Sequence, residues 1–320
     1  MPSPILPHTS DSATAIMVDR PRHVRVARTA LHDAGPADVV VDVLWSGISS
    51  GTERLLWTGD MPPFPGMQYP LVPGYEAVGR IVWAGPEATR ARGQMVFVPG
   101  ARCHRDAANL FGASSSRLVV PGDRAVPVPD ALDRDATLLA LAATAHHAIA
   151  TTDEPIELIV GHGVLGRLMA RILLAWGEPA PEVWERDARR RTGATGYAVR
   201  DPEIERANDY RGIVDASGDA GILDRVMPRL AKGSEIVLAG FYDRVSFAFP
   251  MAFMREARIR VSAEFTPADI ESVLALVRDG SLSLGGLVTH STPVEAAHEG
   301  YERAFGDPDC LKMVLDWRAH

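Results

Sequence analysis

The run Ile156-Glu-Leu-Ile-Val-Gly-His-Gly-Val-Leu-Gly166 sets a short apolar strand directly before G-x-G-x-x-G, and a helical pattern, Arg167 to Trp176, follows it. The three glycines at that spacing have separate tasks. Gly161 permits a tight turn, Gly163 lets the backbone approach a pyrophosphate, and Gly166 lets helix and strand pack closely. The first N–H groups of the helix have no intrahelical acceptor and face negative charge. Strand, loop and helix together predict a dinucleotide held by Gly161, His162, Gly163, Val164, Leu165 and Gly166.

Pro181 to Glu185 reads as a second short strand ending in an acid. Glu185 follows Gly166 by 19 residues (185 − 166), close to the spacing of about 20 for the carboxylate that accepts from a ribose 2′-OH. A carboxylate there repels a 2′-phosphate, which predicts NAD as the cofactor. Arg186, Arg189, Arg190 and Arg191 carry the competing readings: an arginine cluster around that phosphate, or a solvated helix face.

At 320 residues the chain is long enough for two domains, and its net charge of −8 argues against a nucleic-acid partner. No apolar run reaches the length of a membrane span. Residues 1–14 read as a flexible tail, without the basic and apolar regions of a signal peptide. The two cysteines, Cys103 and Cys310, give no disulfide framework, which predicts a cytoplasmic protein. Cys103 beside His104 reads as a semi-buried thiol next to a surface histidine, with a reactive pair as the other reading.

From Ala15 to about Pro129, β-branched runs broken by Gly and Pro predict an irregular, mostly antiparallel β domain: Val24–Ala27, Val39–Leu44, Ala77–Trp83, Met95–Val98, Leu118–Val120 and Ala125–Val128. From residue 131 to 283, helices alternate with strands at Ile156–Val160, Glu182–Trp184, Tyr197–Val199, Gly212–Asp215, Glu235–Ala239 and Arg260–Ala263. That alternation predicts a doubly wound parallel α/β (Rossmann) sheet. Residues 284–320, with a helix at Val294–Phe305 and a strand at Leu311–Leu315, return to the first domain. Ser217, Gly218 and Gly240 follow strand ends at the carboxyl edge of the sheet, where ligands bind in this architecture.

A β domain rich in Gly and Pro followed by such a sheet resembles the medium-chain dehydrogenase/reductase superfamily. The resemblance is carried by Val39–Glu53, Pro73-Gly-Tyr-Glu-Ala-Val-Gly79, Ala143-Thr-Ala-His-His-Ala148, the glycine loop and Leu311-Lys-Met-Val-Leu315. It implies a GroES-like catalytic domain over 15–130 and 284–320. Ser46–Gly59, Leu110-Phe-Gly-Ala113 and Val183-Trp-Glu185 are similar to the bacteriochlorophyll-synthesis branch of that superfamily. This implies oxidation of a 3-(1-hydroxyethyl) group on a bacteriochlorophyllide to 3-acetyl, with a small-molecule tetrapyrrole as substrate. It also implies Thr144 close to the cofactor and Lys312 near its pyrophosphate.

Zinc members of the superfamily have a cysteine where this chain has Ser49-Ser50 and a histidine where it has Tyr75 before Glu76. Hydroxyls are poor zinc ligands, so the expectation is no metal. Without a Lewis acid another group must handle the alcohol's proton. The candidates are Tyr75, with Ser49, Ser50 and Thr52 as a hydrogen-bonded relay, and either His146 or His147 as an imidazole base. Adjacent helical residues point about 100° apart, so at most one of the histidines should face the ligand. Glu76 neighbours the metal in zinc relatives, and its role here stays open.

For the substrate, the apolar stretch Trp45, Trp57, Met61–Pro65, Met67 and Tyr69 reads either as a pocket wall or as a lid packed on its own domain. Phe241, Tyr242, Phe247, Phe249, Met251, Phe253 and Met254 match a region that builds homodimer interfaces in the superfamily. Arg54 and Arg102 are candidates for pairing with a propionate. Two rival functions stay open at this point: a zinc-independent NAD(P)H-dependent quinone or enoyl reductase, and a non-catalytic pigment-binding protein.

Overall fold

The computed structural model describes residues 12–63 and 65–320. The chain divides into two compact units: one runs up to Thr137 and adds Val288–His320, and the other spans Leu138–Leu287.

The first unit is built on the strand Asp38–Ile48, whose sequence Val-Val-Val-Asp-Val-Leu-Trp-Ser-Gly-Ile buries nearly every side chain. A strand buried on both faces has to sit inside a sheet, and this one pairs antiparallel with Ala77–Ala84, Met313–Asp316 and Arg117–Pro121. In this seven-stranded sheet a path of six runs His290–Pro293, Met313–Asp316, Asp38–Ile48, Ala77–Ala84, Met95–Val98 and Val126–Pro127, with Arg117–Pro121 off it. Val39, Val41, Ile48, Ile81, Val96, Leu118 and Leu315 share one core with Trp317. Each such aliphatic side chain contributes roughly 1.5–3 kcal/mol on burial. Trp317 is accommodated without an orphaned donor, because its Nε1 donates to Ser46 Oγ at 2.8 Å.

A second sheet in this unit orders His23–Ala30, Ser12–Arg20, Leu71–Val72 and Ala108–Asn109. It shortens the expected tail, since Ser12–Thr14 already pair with Arg28–Ala30. Their alternation, Ser-Ala-Thr-Ala, is a strand pattern too weak to stand out beside the prolines before it; residues 1–11 lie outside the described chain.

The second unit is a six-stranded parallel sheet in the order Ala198–Arg200, Glu182–Trp184, Ile156–Val160, Tyr210–Asp215, Leu230–Leu238, Arg258–Val261. This is the 3-2-1-4-5-6 winding of a Rossmann fold. Helix Val164–Ala175 starts within the glycine motif, three residues before the expected helical run, with Gly163 as its N-cap and Gly166 in its first turn. Helix Leu139–Ala150 packs against it and against Pro267–Arg278.

Candidate functional site

In the Rossmann unit, strand Ile156–Val160 delivers Gly161 at φ +98°, a backbone region that side chains with a Cβ rarely adopt. A Cβ on Gly166 would collide with the Gly161 carbonyl, so that glycine is what lets the helix start sit on the strand end. At Gly163 the space a Cβ would fill is open. The N–H groups of Val164, Leu165 and Gly166 in the first helical turn have no intrahelical acceptor. An open backbone with orphan donors at a helix N-terminus is suited to a diphosphate.

His162 departs from the expectation of a cofactor contact, because its ring is turned inward and buried. Nδ1 donates to the Arg190 carbonyl at 2.6 Å, so Nε2 accepts the Tyr197 hydroxyl at 2.8 Å. Burial holds its pKa down at about 4, so the ring is neutral. Arg167, also buried, donates to the carbonyls of His162, Arg190 and Thr192. Together these side chains fix the turn Ala188–Arg191 beside the loop.

Glu185 is half-buried at the mouth of that turn. Its Oε2 accepts the His162 N–H at 3.0 Å and its Oε1 the Asp187 N–H at 2.8 Å. Each oxygen keeps a second lone pair, enough for two ribose hydroxyls. Arg189 is held by Asp187 and Arg191 by Asp201, both at 2.7 Å, so these arginines stabilise the turn itself. Arg186 is exposed, with Asp219 3.7 Å away.

At the neighbouring strand ends, Ser217 Oγ donates to the buried Asp215 at 2.6 Å, and the Tyr242 hydroxyl donates to the same carboxyl. A Cβ on Gly240 would stand 2.8 Å from Gly218 N, so these two backbones require glycine to pass so closely. Thr144 Oγ1 donates to Ala140 O at 2.9 Å along its own helix.

The expectation that one of His146 and His147 would serve as a base meets a different arrangement. Both Nδ1 atoms donate to one carboxylate, Asp269, at 2.7 and 3.0 Å. Asp269 also caps helix Pro267–Arg278 through Thr266. Burial raises its pKa, but the Thr266 and histidine hydrogen bonds outweigh that and hold it at about 2. The two rings flank a shared acceptor despite their angular separation, and they clamp one helix to another.

In the β-rich unit, Asp38–Ile48 runs into Ser49 and then the short helix Thr52–Thr58. Tyr75 follows Leu71–Val72, and its hydroxyl donates to Ser49 Oγ at 2.6 Å while Phe111 packs edge-on against its ring. Burial pushes the Tyr75 phenol up, the Glu76 carboxylate adds to this, and the neighbouring Ser49 and Thr52 hydroxyls offset part of it. A free phenolate is therefore disfavoured. The Tyr75 phenol is held protonated, not lowered toward a base. Ser50, by contrast, is exposed.

Glu76 and Lys312 are buried and form an ion pair with each other. A Cβ on Gly47 would land on the Glu76 carboxylate and 3.0 Å from Lys312 Cε, so glycine there makes room for the pair. Lys312, expected near the pyrophosphate, is instead the counter-charge of Glu76. Two further groups escaped the sequence reading. Glu53 and Tyr301 are buried and hydrogen-bonded at 2.6 Å. The one available signal was an acid inside the otherwise packed segment Thr52-Glu-Arg-Leu-Leu-Trp.

This donor set does not fit zinc. Ser49 and Tyr75 are bonded to each other, Glu76 is committed to Lys312, and zinc takes thiolate, imidazole or free carboxylate. Among the described residues, no group of three or more His, Cys, Asp or Glu side chains is placed to hold a metal ion. Cys103 is buried with its thiol pushed up to about 11, and His104, expected at the surface, is buried with Nε2 donating to Gly112 O at 2.9 Å.

The apolar stretch from Trp45 packs onto its own unit: Trp57, Met61, Met67 and Tyr69 lie against the core, and Trp45 Nε1 donates to Asp133 at 2.8 Å. Phe64 lies outside the described residues. Arg54 and Arg102 are exposed. On the Rossmann unit Phe249, Phe253 and Met254 stay largely exposed, whereas Tyr242 and Met251 pack inward.

The alcohol dehydrogenase GroES-like domain family matches residues 35–130. The 2-desacetyl-2-hydroxyethyl bacteriochlorophyllide A dehydrogenase of Cereibacter sphaeroides is 52% identical over 96% of this chain and 98% of its own. The protein of the same name from Rhodobacter capsulatus is 51% identical over 95% of this chain and 98% of its own. Among solved structures, the alcohol dehydrogenase rspB of E. coli CFT073, complexed with NADH, superposes with a TM-score of 0.81 at 19% identity, over 96% of this chain and 100% of the other.

Proposed function

The chain belongs to the family of 2-desacetyl-2-hydroxyethyl bacteriochlorophyllide A dehydrogenases within the medium-chain dehydrogenase/reductase superfamily, and from this we propose that it oxidises the hydroxyethyl group of a bacteriochlorophyllide to acetyl with NAD⁺ and without zinc. The observation that carries the zinc-free mechanism is the Tyr75–Ser49 hydroxyl pair, a donor set that suits a proton better than a zinc ion.

A bound nicotinamide dinucleotide supplies the hydride acceptor. Gly161, Gly163 and the N–H groups of Val164, Leu165 and Gly166 would hold its pyrophosphate, and Glu185 would take the ribose hydroxyls. Ser217, Gly218 and Gly240 would border it at the neighbouring strand ends. The Glu185 carboxylate, with Arg189 and Arg191 already paired, supports NAD over NADP.

Oxidation of a secondary alcohol removes a hydride from carbon and a proton from oxygen. The alcohol O–H passes its proton to the Tyr75 oxygen as the Tyr75 O–H passes its proton to Ser49 Oγ, and the Ser49 proton goes to solvent water at the exposed Ser50–Gly51 turn. Because each hydroxyl gains a proton as it gives one up, no phenolate accumulates. That fits a phenol whose pKa is pushed up by burial. The Thr52 hydroxyl counters part of the rise in the Tyr75 pKa and completes the set of hydroxyls. Arg54 and Arg102 stand available for propionates of the macrocycle.

No described helix is long and apolar enough to cross a membrane. The free, buried cysteines suit the cytoplasm, where thiols stay reduced. The exposed Phe249, Phe253 and Met254, with Val261 on the edge strand, are proposed to be covered by a second copy of the chain. The direct test supplies hydroxyethyl-bearing bacteriochlorophyllide with NAD⁺ or NADP⁺ and follows pigment absorbance and nicotinamide reduction together. A red-shifted product formed faster with NAD⁺ is expected. NADP⁺ preference would overturn the cofactor assignment, and no turnover with either would overturn the activity.

A further inference from the structure

Beneath the Tyr75–Ser49 pair the β-rich unit buries ionisable groups to which the proton relay gives no part. Glu53 is 1% exposed, on the short helix that begins just after Ser49. Its Oε1 accepts the Ser49 N–H at 3.3 Å and its Oε2 accepts the Tyr301 hydroxyl at 2.6 Å. Tyr301 comes from helix Ala297–Gly306, so one carboxylate ties a helix distant in sequence to the turn that carries Ser49.

Both Glu53 oxygens thus face donors, an arrangement suited to a carboxylate, which only accepts. A protonated Glu53 would reverse its bond to Tyr301, the phenol oxygen then accepting, and would offer the Ser49 N–H only a neutral oxygen, a weaker acceptor than a carboxylate. Burial acts in the opposite sense and favours the neutral acid. Every charged group facing Glu53 enters that balance. Burial raises its pKa most, the Tyr301 hydrogen bond lowers it, Glu76 raises it, and Lys312 and the Ser49 N–H lower it, leaving it at about 7. The Tyr75 hydroxyl also faces it and stays neutral, its own pKa raised in part by Glu53.

We propose that Glu53 is a positioning residue for the alcohol oxidation: its ionised carboxylate pins the Ser49 turn so that Ser49 Oγ stays in place as the acceptor for Tyr75. Protonation from solvent weakens the hold on the Ser49 N–H and slackens that turn, so oxidation runs on the ionised form and its rate rises with pH through the range in which Glu53 titrates. The inference rests on the reading of Tyr75 and Ser49 as the pair that serves the alcohol.

The test compares wild type, Glu53→Gln and Tyr301→Phe, each as the full chain. Pigment oxidation with NAD⁺ gives kcat and KM against pH, and infrared spectra of the substrate-free proteins follow the carbonyl band of a buried protonated carboxyl. Wild type should show a kcat inflection near neutrality and a carbonyl band that titrates with it. In Glu53→Gln the band and the inflection disappear, and kcat falls roughly tenfold or more with KM little changed. In Tyr301→Phe both move to higher pH, because a contact that lowers the Glu53 pKa has gone. An inflection unchanged in both variants, or no titrating band in wild type, overturns the proposal. Should Glu53→Gln fail to fold, the direction of the Tyr301→Phe shift decides alone. Absence of turnover in wild type contradicts the proposed function instead, and the infrared shift in Tyr301→Phe still decides for or against Glu53.

Discussion

Replacing Lys312 with Met tests the buried charge set most sharply. Lys312 is 3% exposed and Glu76 is fully buried, so the variant strands a carboxylate with no water and no counter-charge. Removing one partner of a buried ion pair costs about 3–5 kcal/mol, whereas replacing both with apolar groups of similar volume is close to neutral or better. Lys312 also offsets Glu53, so Lys312→Met leaves two carboxyls uncompensated. Glu76→Leu leaves Lys312 still facing Glu53 and should cost less. Lys312→Met with Glu76→Leu should recover most of the loss. Urea unfolding midpoints at constant m-value give all four corners of the cycle.

The pH dependence adds a sign. Without Lys312, the folded-state pKa values of Glu76 and Glu53 rise further above their unfolded values. The lost stability is then smallest in acid, where both are protonated, and grows as pH rises through neutrality. A Lys312→Met chain as stable as wild type, or a deficit that does not change with pH, would refute the reasoning. Normal stability with weakened NAD⁺ binding would restore Lys312 to the pyrophosphate.

Tyr75→Phe keeps the ring against Phe111 but removes the hydroxyl, so kcat should fall by about 10²–10³ with NAD⁺ affinity unchanged, checked by steady-state kinetics and calorimetry. Gly166→Ala has no room for its Cβ against the Gly161 carbonyl, so NAD⁺ binding should be lost in titration calorimetry. His146→Ala with His147→Ala should keep the pH profile of catalysis but weaken the fold in acid. Asp269, held at about 2, contributes stability that is fully present above its ordinary value near 4 and lost as pH falls through 2. Without the histidines its pKa climbs and acid unfolding begins at higher pH, measurable by circular dichroism. Phe253→Asp, on the exposed apolar face, should convert a dimer to a monomer in sedimentation; an unchanged mass would remove that face from the interface.

The Rossmann unit was the more legible of the two. Ile156–Val160 and Glu182–Trp184 stand where the sequence placed them, because parallel strands buried on both faces read as continuous apolar runs. The short pairings Leu71–Val72 and Ala108–Asn109 carry no such signal, being set by partners distant in the chain. At the site, the resemblance singled out Tyr75 and Ser49 as candidates, but the sequence could not show that their hydroxyls meet. It named Lys312 and Glu76 separately, and only packing around Gly47 reveals that they neutralise each other. For His146 and His147 the sequence could not distinguish a base from a clamp, because Asp269, which both rings meet, lies more than a hundred residues later. Glu53 was invisible for the same reason: its partner Tyr301 lies 248 residues away.

The central claim is alcohol oxidation by hydroxyl groups in place of a metal. Its most direct test is turnover of hydroxyethyl-bearing bacteriochlorophyllide with NAD⁺ by protein dialysed against chelator, with metal content measured on the same sample. The account predicts full activity at negligible zinc, and loss of that activity in Tyr75→Phe. Activity that disappears with chelation and returns with added zinc would contradict it.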